Sequence, residues 1–176
     1  CALTASDAPA PGGGSVSALC GSLAAALAEM VGNLTLGRRG CDDAQESIRE
    51  ALAELEEIRT ILLKAIDEDS ESFNGFMAAL KMPKNTEEEK VLRKTAMSQA
   101  LKTASLVPLK VAGQSVRIFK FSRLMLERGN KNAATDAMVS ALAARTAAIG
   151  ALLNVRINLR LIHDPEFVRT TLEEVL

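Results

Sequence analysis

From Asp42 to Lys81 no proline interrupts the chain, and apolar residues return at helical spacing: Ile48, Leu52, Leu55, Leu62, Ile66, Phe73, Phe76 or Met77, and Leu80. A start at Asp42 or Asp43 and an end near Lys81 predict one helix on the order of 58 Å long, at about 1.5 Å per residue. A rod of that length exceeds the width of a compact bundle built from 176 residues. Whatever else the chain forms must lie along it, and no segment alternates polar and apolar residues in the strand manner. The expected fold is therefore all-α: a bundle of four long helices, one kinked at a proline, plus a short C-terminal helix. It reads as a single domain over 1–176, with a few further residues expected at each end because the chain begins at Cys1 and stops within a predicted helix. The overhang of the longest helix, with so much Ala and Gly on two others, suggests a homodimer that buries the excess.

The first helix is expected from Ser15 to Leu36, ending at Gly37. Val16, Leu19, Leu23, Leu27, Met30 and Leu34 recur at helical spacing and alanines fill most other positions, so this helix reads as central. Gly21, Ala24, Ala25, Ala28 and Gly32 would let neighbouring helices come close. Pro83 closes the long second helix, and Thr86 to Glu89 forms a capping box for the third. Val91, Ala96, Ala100, Leu101, Ala104 and Val107 mark the expected inner face of that helix. Pro108 removes a helix hydrogen bond and predicts a kink, with helix resuming as far as Gly129. Lys110, Arg117, Lys120, Arg123 and Arg128 make this half basic and read as a solvated face. After the turn Asn130-Lys131-Asn132, a last long helix runs to about Ile162. Asp164 then caps a short helix that Pro165 opens.

Composition narrows the function. The chain is 48% hydrophobic with a net charge of −1, as for a globular, near-neutral protein. With no basic excess, five Phe and neither Trp nor Tyr, nothing favours nucleic acid as a partner. Cys1, Cys20 and Cys41 form no close pair and only His163 could join them, which argues against a metal site or a disulfide framework. A reducing, cytoplasmic setting is expected. No run reads as long and apolar enough to span a membrane, since even the Ala-rich first helix carries Ser22, Glu29 and Asn33.

Chemistry-bearing residues fall on few positions. The turn Pro9-Ala10-Pro11-Gly12-Gly13-Gly14-Ser15 opens the first helix, with Ser15 as N-cap candidate. Two readings are open for it: a flexible lead-in to a capped helix, or an anion cradle of free N–H groups at the positive end of the helix dipole. Asp69 lies on the apolar stripe of the long helix, one turn before Phe73, and so points inward. Burial of a carboxyl raises its pKa from about 3.9, which suits proton transfer, although a buried ion pair between helices is the alternative. Asp136 stands in the first turn of the last long helix, on a small-residue face that continues through Ala143, Ala147 and Gly150 to Asn154 and Asn158. That face is either a close helix contact or the floor of a pocket. Asn33 reads most simply as a satisfied core amide, and Arg38 as part of a solvated basic turn.

Together these segments resemble the formiminotetrahydrofolate cyclodeaminase and methenyltetrahydrofolate cyclohydrolase family. The resemblance rests on Pro9 to Ser15, Met30-Val31-Gly32-Asn33-Leu34-Thr35, Asp69 with Phe73 and Met77, Val107-Pro108-Leu109, Gly129 to Ala133 with Asp136, and Leu153-Asn154-Val155-Arg156-Ile157-Asn158-Leu159. These occur in family order and cover nearly all of the chain. One departure is the turn Arg38-Arg39-Gly40-Cys41, where the family usually carries more lysine and a tyrosine. The resemblance implies an all-helical homodimer acting on a tetrahydrofolate one-carbon unit, as cyclodeaminase or alternatively as cyclohydrolase. For that chemistry Asp69 is the proton-transfer candidate and Asp136 the cation stabiliser or second acid, with the roles interchangeable. Asn33, Asn130, Asn154 and Asn158 would hold the pterin edge. Gly12, Gly13, Gly14 and Ser15, or a basic residue such as Arg38, would take the glutamate tail. No metal and no tightly bound cofactor is implied. A non-catalytic folate-binding dimer is the further alternative.

Overall fold

The computed structural model describes residues 1–174. Five helices follow in order: α1 (Gly13–Asn33), α2 (Gln45–Leu80), α3 (Glu87–Arg128), α4 (Ala134–Leu159) and α5 (Pro165–Glu173). Single 3-10 turns at Asp42–Ala44 and Lys131–Ala133 lead into α2 and α4. The first four form a bundle in which each packs against its sequence neighbour, α4 closes on α1, and α1 and α3 meet across the short diagonal. At about 1.5 Å per residue, the 36 residues of α2 and 42 of α3 extend well beyond the 21 of α1 and 26 of α4. α2 and α3 therefore project as a pair past one end of the bundle. The last residues of α4 and the turn into α5 cover the base of that projection, through a small core of Leu101, Val155, Leu159 and Ile162.

Small residues decide the packing. The buried side of α1 is Ser15, Ser17, Ala18, Gly21, Ser22, Ala24, Ala25, Ala28, Val31 and Gly32. A Cβ on Gly21 would lie 2.9 Å from Ser115 Oγ and 3.0 Å from Leu62 Cδ1, so only hydrogen fits between these helices. The larger residues expected to mark the core side of α1 face the other way: Val16, Leu19, Leu23, Met30 and Leu34 are all exposed. Helix backbones approach most closely where side chains are shortest, and the bulky stripe is left outside. Leu142, Ile149, Leu153 and Ile157 do the same on α4. Val91, also expected inside, is 63% exposed because it lies on the projecting part of α3.

Several expectations hold at the level of single bonds. Thr86 and Glu89 form the capping box, and Asp164 Oδ1 accepts the Phe167 N–H ahead of Pro165. Lys102 pairs with Asp164 at 2.6 Å; this cation first, and the Phe167 N–H second, hold the Asp164 carboxyl below its ordinary range. The basic half of α3 is a solvated, paired face: Lys110 meets Glu68, Arg117 and Lys120 meet Glu54, Arg123 meets Glu127, and Arg128 meets Asp43. The three cysteines are free thiols.

Two further expectations change. Ser15 is not the N-cap of α1; Gly12 is, without any side-chain cap, and Ser15 sits inside the first turn. The expectation that no stretch is apolar enough for a bilayer also fails, because Gly13–Asn33 and Lys131–Leu159 each reach a mean hydropathy of 1.5 over spans of sufficient length. In both spans the alanines lie mostly inside the bundle and much of the remaining apolarity comes from larger residues left exposed on its surface.

Candidate functional site

Where the projecting pair leaves the bundle, the start of α1, the middle of α2 and the end of α4 enclose a cavity of about 300 Å³. Gly12, Gly13 and Gly14 form one wall, Asp69, Phe73 and Phe76 a second, and Asn154 and Asn158 a third. Among the described residues, Asp69 is the only acidic one lining it.

The inward position expected for Asp69 holds, and its setting is specific. Ser15 Oγ donates to Asp69 Oδ2 at 2.7 Å and lies 3.3 Å from Ser70 Oγ. The carboxylate is pressed against the backbone of Gly14, where an added Cβ would come within 2.6 Å of Asp69 Cγ. The anion at the first turn of α1 is thus an internal one. A substrate carboxylate in that turn would meet the carboxyl group of Asp69.

The two amides of α4 are held through their donors. Asn154 Nδ2 donates to the Gly150 carbonyl at 2.9 Å, and a Cβ on Gly13 would lie 3.2 Å from the same nitrogen. Asn158 Nδ2 donates to the carbonyl of Ala104 at 2.7 Å. Ala104 stands four residues before Pro108, and its carbonyl is the one that the missing proline N–H cannot serve. α3 runs on as one helix through Pro108, with the α4 amide supplying the lost hydrogen bond. Among the described residues no donor reaches Oδ1 of Asn154, of Asn158 or of Asp69. The cavity therefore offers three acceptors and aromatic surface to a flat ligand rich in N–H groups.

The structure brings together Gly12, Gly13, Gly14, Ser15, Asp69, Asn154 and Asn158, and leaves four expected site residues elsewhere. Asn33 is exposed at the last residue of α1, about 30 Å along the helix from Gly13. Asp136 is about 27 Å along α4 from Asn154. Arg38 and Asn130 lie at that same far end. Asn130 is buried there: its N–H donates to Thr35 Oγ1 at 2.9 Å, its Nδ2 to the Leu34 carbonyl at 3.4 Å, and its Oδ1 accepts the Asn132 N–H at 3.0 Å. The shared helical face that linked Asp136 to Asn154 was real in angle but not in distance along the axis. Conversely, Ser15 as the partner of Asp69, and Phe76, Leu101 and Leu161 as cavity walls, were not singled out. The signal for the phenylalanines was that the α2 stripe continues past the point where α1 ends.

An all-helical bundle with one carboxylate between a glycine turn and two amides is the arrangement to be matched. The formiminotransferase-cyclodeaminase family model matches residues 1–176. Methenyltetrahydrofolate cyclohydrolase from Methylorubrum extorquens is 37% identical over 171 residues, 97% of this chain and 82% of that one. Formimidoyltransferase-cyclodeaminase from Gallus gallus is 37% identical over 166 residues, 94% of this chain but only 31% of that protein. The crystal structure of formiminotetrahydrofolate cyclodeaminase from Thermotoga maritima superposes with a TM-score of 0.88 at 33% identity, covering 99% of this chain and 83% of that one. The chain belongs to the formiminotransferase-cyclodeaminase family.

Proposed function

We propose that this chain is a folate-dependent one-carbon enzyme that converts 5-formiminotetrahydrofolate to 5,10-methenyltetrahydrofolate and ammonia. The observation that carries the reading is Asp69, a half-buried carboxylate at the cavity wall with one oxygen held by Ser15 and the other uncommitted. In ring closure, N10 attacks the formimino carbon, which becomes tetrahedral between N5 and N10. One proton from N10 and one from solvent pass to the leaving nitrogen, its bond to carbon breaks, and ammonia departs. The product is a delocalised cation. Asp69 can carry those protons and, once ionised, face the cation, the two tasks this chemistry sets. The uncommitted amide oxygens of Asn154 and Asn158 suit the pterin's N–H edge, and Phe73 and Phe76 suit its face.

A second reading has its own support, because the cyclohydrolase from Methylorubrum extorquens aligns over 97% of this chain. In that reaction water adds to the methenyl carbon and loses a proton to Asp69; the resulting hydroxyl then passes its proton to N5 as the carbon–N5 bond breaks, giving 10-formyltetrahydrofolate. Following the methenyl absorbance with each substrate separates the two. Appearance of methenyl product from the formimino substrate supports the first reading, while its loss from added methenyltetrahydrofolate alone supports the second. No change with either overturns both and leaves a folate-binding module.

The active form in this reading is a homodimer. Its support is the exposed stripe of α1 together with that of α4, where Leu23 is 55% and Leu142 is 63% exposed. Exposed apolar stripes on two neighbouring helices favour an association surface. Light scattering should return twice the chain mass at micromolar concentration, and a stable monomer would overturn the dimer. The free thiols fit the cytoplasmic setting we propose for it.

A further inference from the structure

The chemistry given above to Asp69 needs one of its oxygens turned to the cavity, and the side chain alone does not ensure that. The last torsion of an aspartate joins an sp³ carbon to an sp² one and is broad, so outside contacts must set the plane of the carboxyl group. Two contacts do so here. The backbone of Gly14 bounds the group on one side, where an added Cβ would lie 2.6 Å from Cγ. The Ser15 hydroxyl ties Oδ2 at 2.7 Å. Both come from the first turn of α1. Ser15 is only 2% exposed, so its hydroxyl is held by packing on every side.

A hydroxyl has one proton to give. That of Ser15 goes to Asp69, so Ser15 can only accept from Ser70, whose Oγ lies 3.3 Å away. Ser70 follows Asp69 on α2, and its Oγ is also 3.3 Å from the carbonyl of Ile66, one turn back. Ser70 thus fills the acceptor side of Ser15 and leaves the Ser15 proton to the carboxyl group. Asp69 lines the cavity, whereas neither serine does. The two hydroxyls therefore stand behind the acid and have no contact with what the cavity holds.

We propose that Ser15, oriented by Ser70, is the positioning residue for Asp69: it fixes the carboxyl plane so that Oδ1 is the oxygen presented to the cavity. The role rests on the folate reading above and deepens it. Methenyl absorbance, with whichever substrate the wild type turns over, gives kcat and KM for each variant. Ser15→Ala should lower kcat roughly 10- to 100-fold, the scale of a small misplacement, and leave KM within about twofold. Ser70→Ala keeps the bond between Ser15 and Asp69 and should cost roughly 2- to 5-fold in kcat. Alanine suits a helix at least as well as serine, so the melting temperature of Ser70→Ala should not fall. That variant keeps the test readable if Ser15→Ala does not fold. In an Asp69→Asn background, Ser15→Ala should cost less than about twofold more, because the group it positions no longer transfers a proton. Unchanged kcat in either single variant, a loss carried by KM, or an equally large loss in the Asp69→Asn background would each overturn the role and leave the folate reading standing. A wild type inactive on both substrates would overturn the folate reading and the role with it.

Discussion

The two ends of the α1–α4 pair are built from the same kinds of residue and do opposite things. At one end a glycine turn, Ser15, Asp69 and Asn154 meet; at the other, Gly129, Thr35 and Asn130. At the second end the side chains of Thr35 and Asn130 are consumed within the protein. Thr35 Oγ1 donates to the Val31 carbonyl at 2.7 Å and accepts the Asn130 N–H, while Asn130 spends both halves of its amide on the turn. At the first end each side chain is anchored through one atom and leaves another uncommitted toward a cavity. Residue type does not separate a site from a joint. Satisfaction of the second atom does.

The contrast can be broken most strongly at Asp69. Asp69→Asn keeps an oxygen for the Ser15 hydroxyl and removes the charge, so the fold should persist while turnover falls about 10²–10⁴-fold. A loss of only a few-fold, read from methenyl absorbance, would mean that this end is a joint too. Gly14→Ala tests position rather than charge. Its Cβ would displace the carboxylate, and turnover should drop about 10²-fold with little change in melting temperature.

Asn158 sharpens the comparison because it belongs partly to each kind. Its donor holds the carbonyl that Pro108 leaves free, and Asn158→Ala should cost about 1–3 kcal/mol in denaturant unfolding by orphaning that carbonyl. Pro108→Ala restores the N–H, so in the double variant most of that loss should vanish. Additive losses would show that the Ala104 bond is not what Asn158 contributes. At the far end, Asn130→Ala should cost a similar ~1–3 kcal/mol and leave turnover per folded molecule unchanged. Lost turnover with stability intact would instead show that a second chain carries this end to the cavity.

Much was legible in the sequence alone. Helical spacing, the proline and glycine breaks and the two capping signals are local, and local rules of backbone and side-chain chemistry determined the five helices among the described residues and placed their limits to within about three residues. The inward angle of Asp69 was likewise legible, because angle around a helix follows from the 3.6-residue repeat. What only the tertiary structure decided was which positions on different helices share a height along the bundle, and which face of α1 is inside. Asp136 and Asn33 lie on plausible faces, about 27 and 30 Å along their helices from the cavity within one chain. The large apolar stripe of α1 lies outside because helices pack closest through Gly, Ala and Ser. The match between Pro108 and Asn158, a bond lost on one helix and restored from another, depends on two segments meeting at one level, and nothing in a linear pattern carries that information.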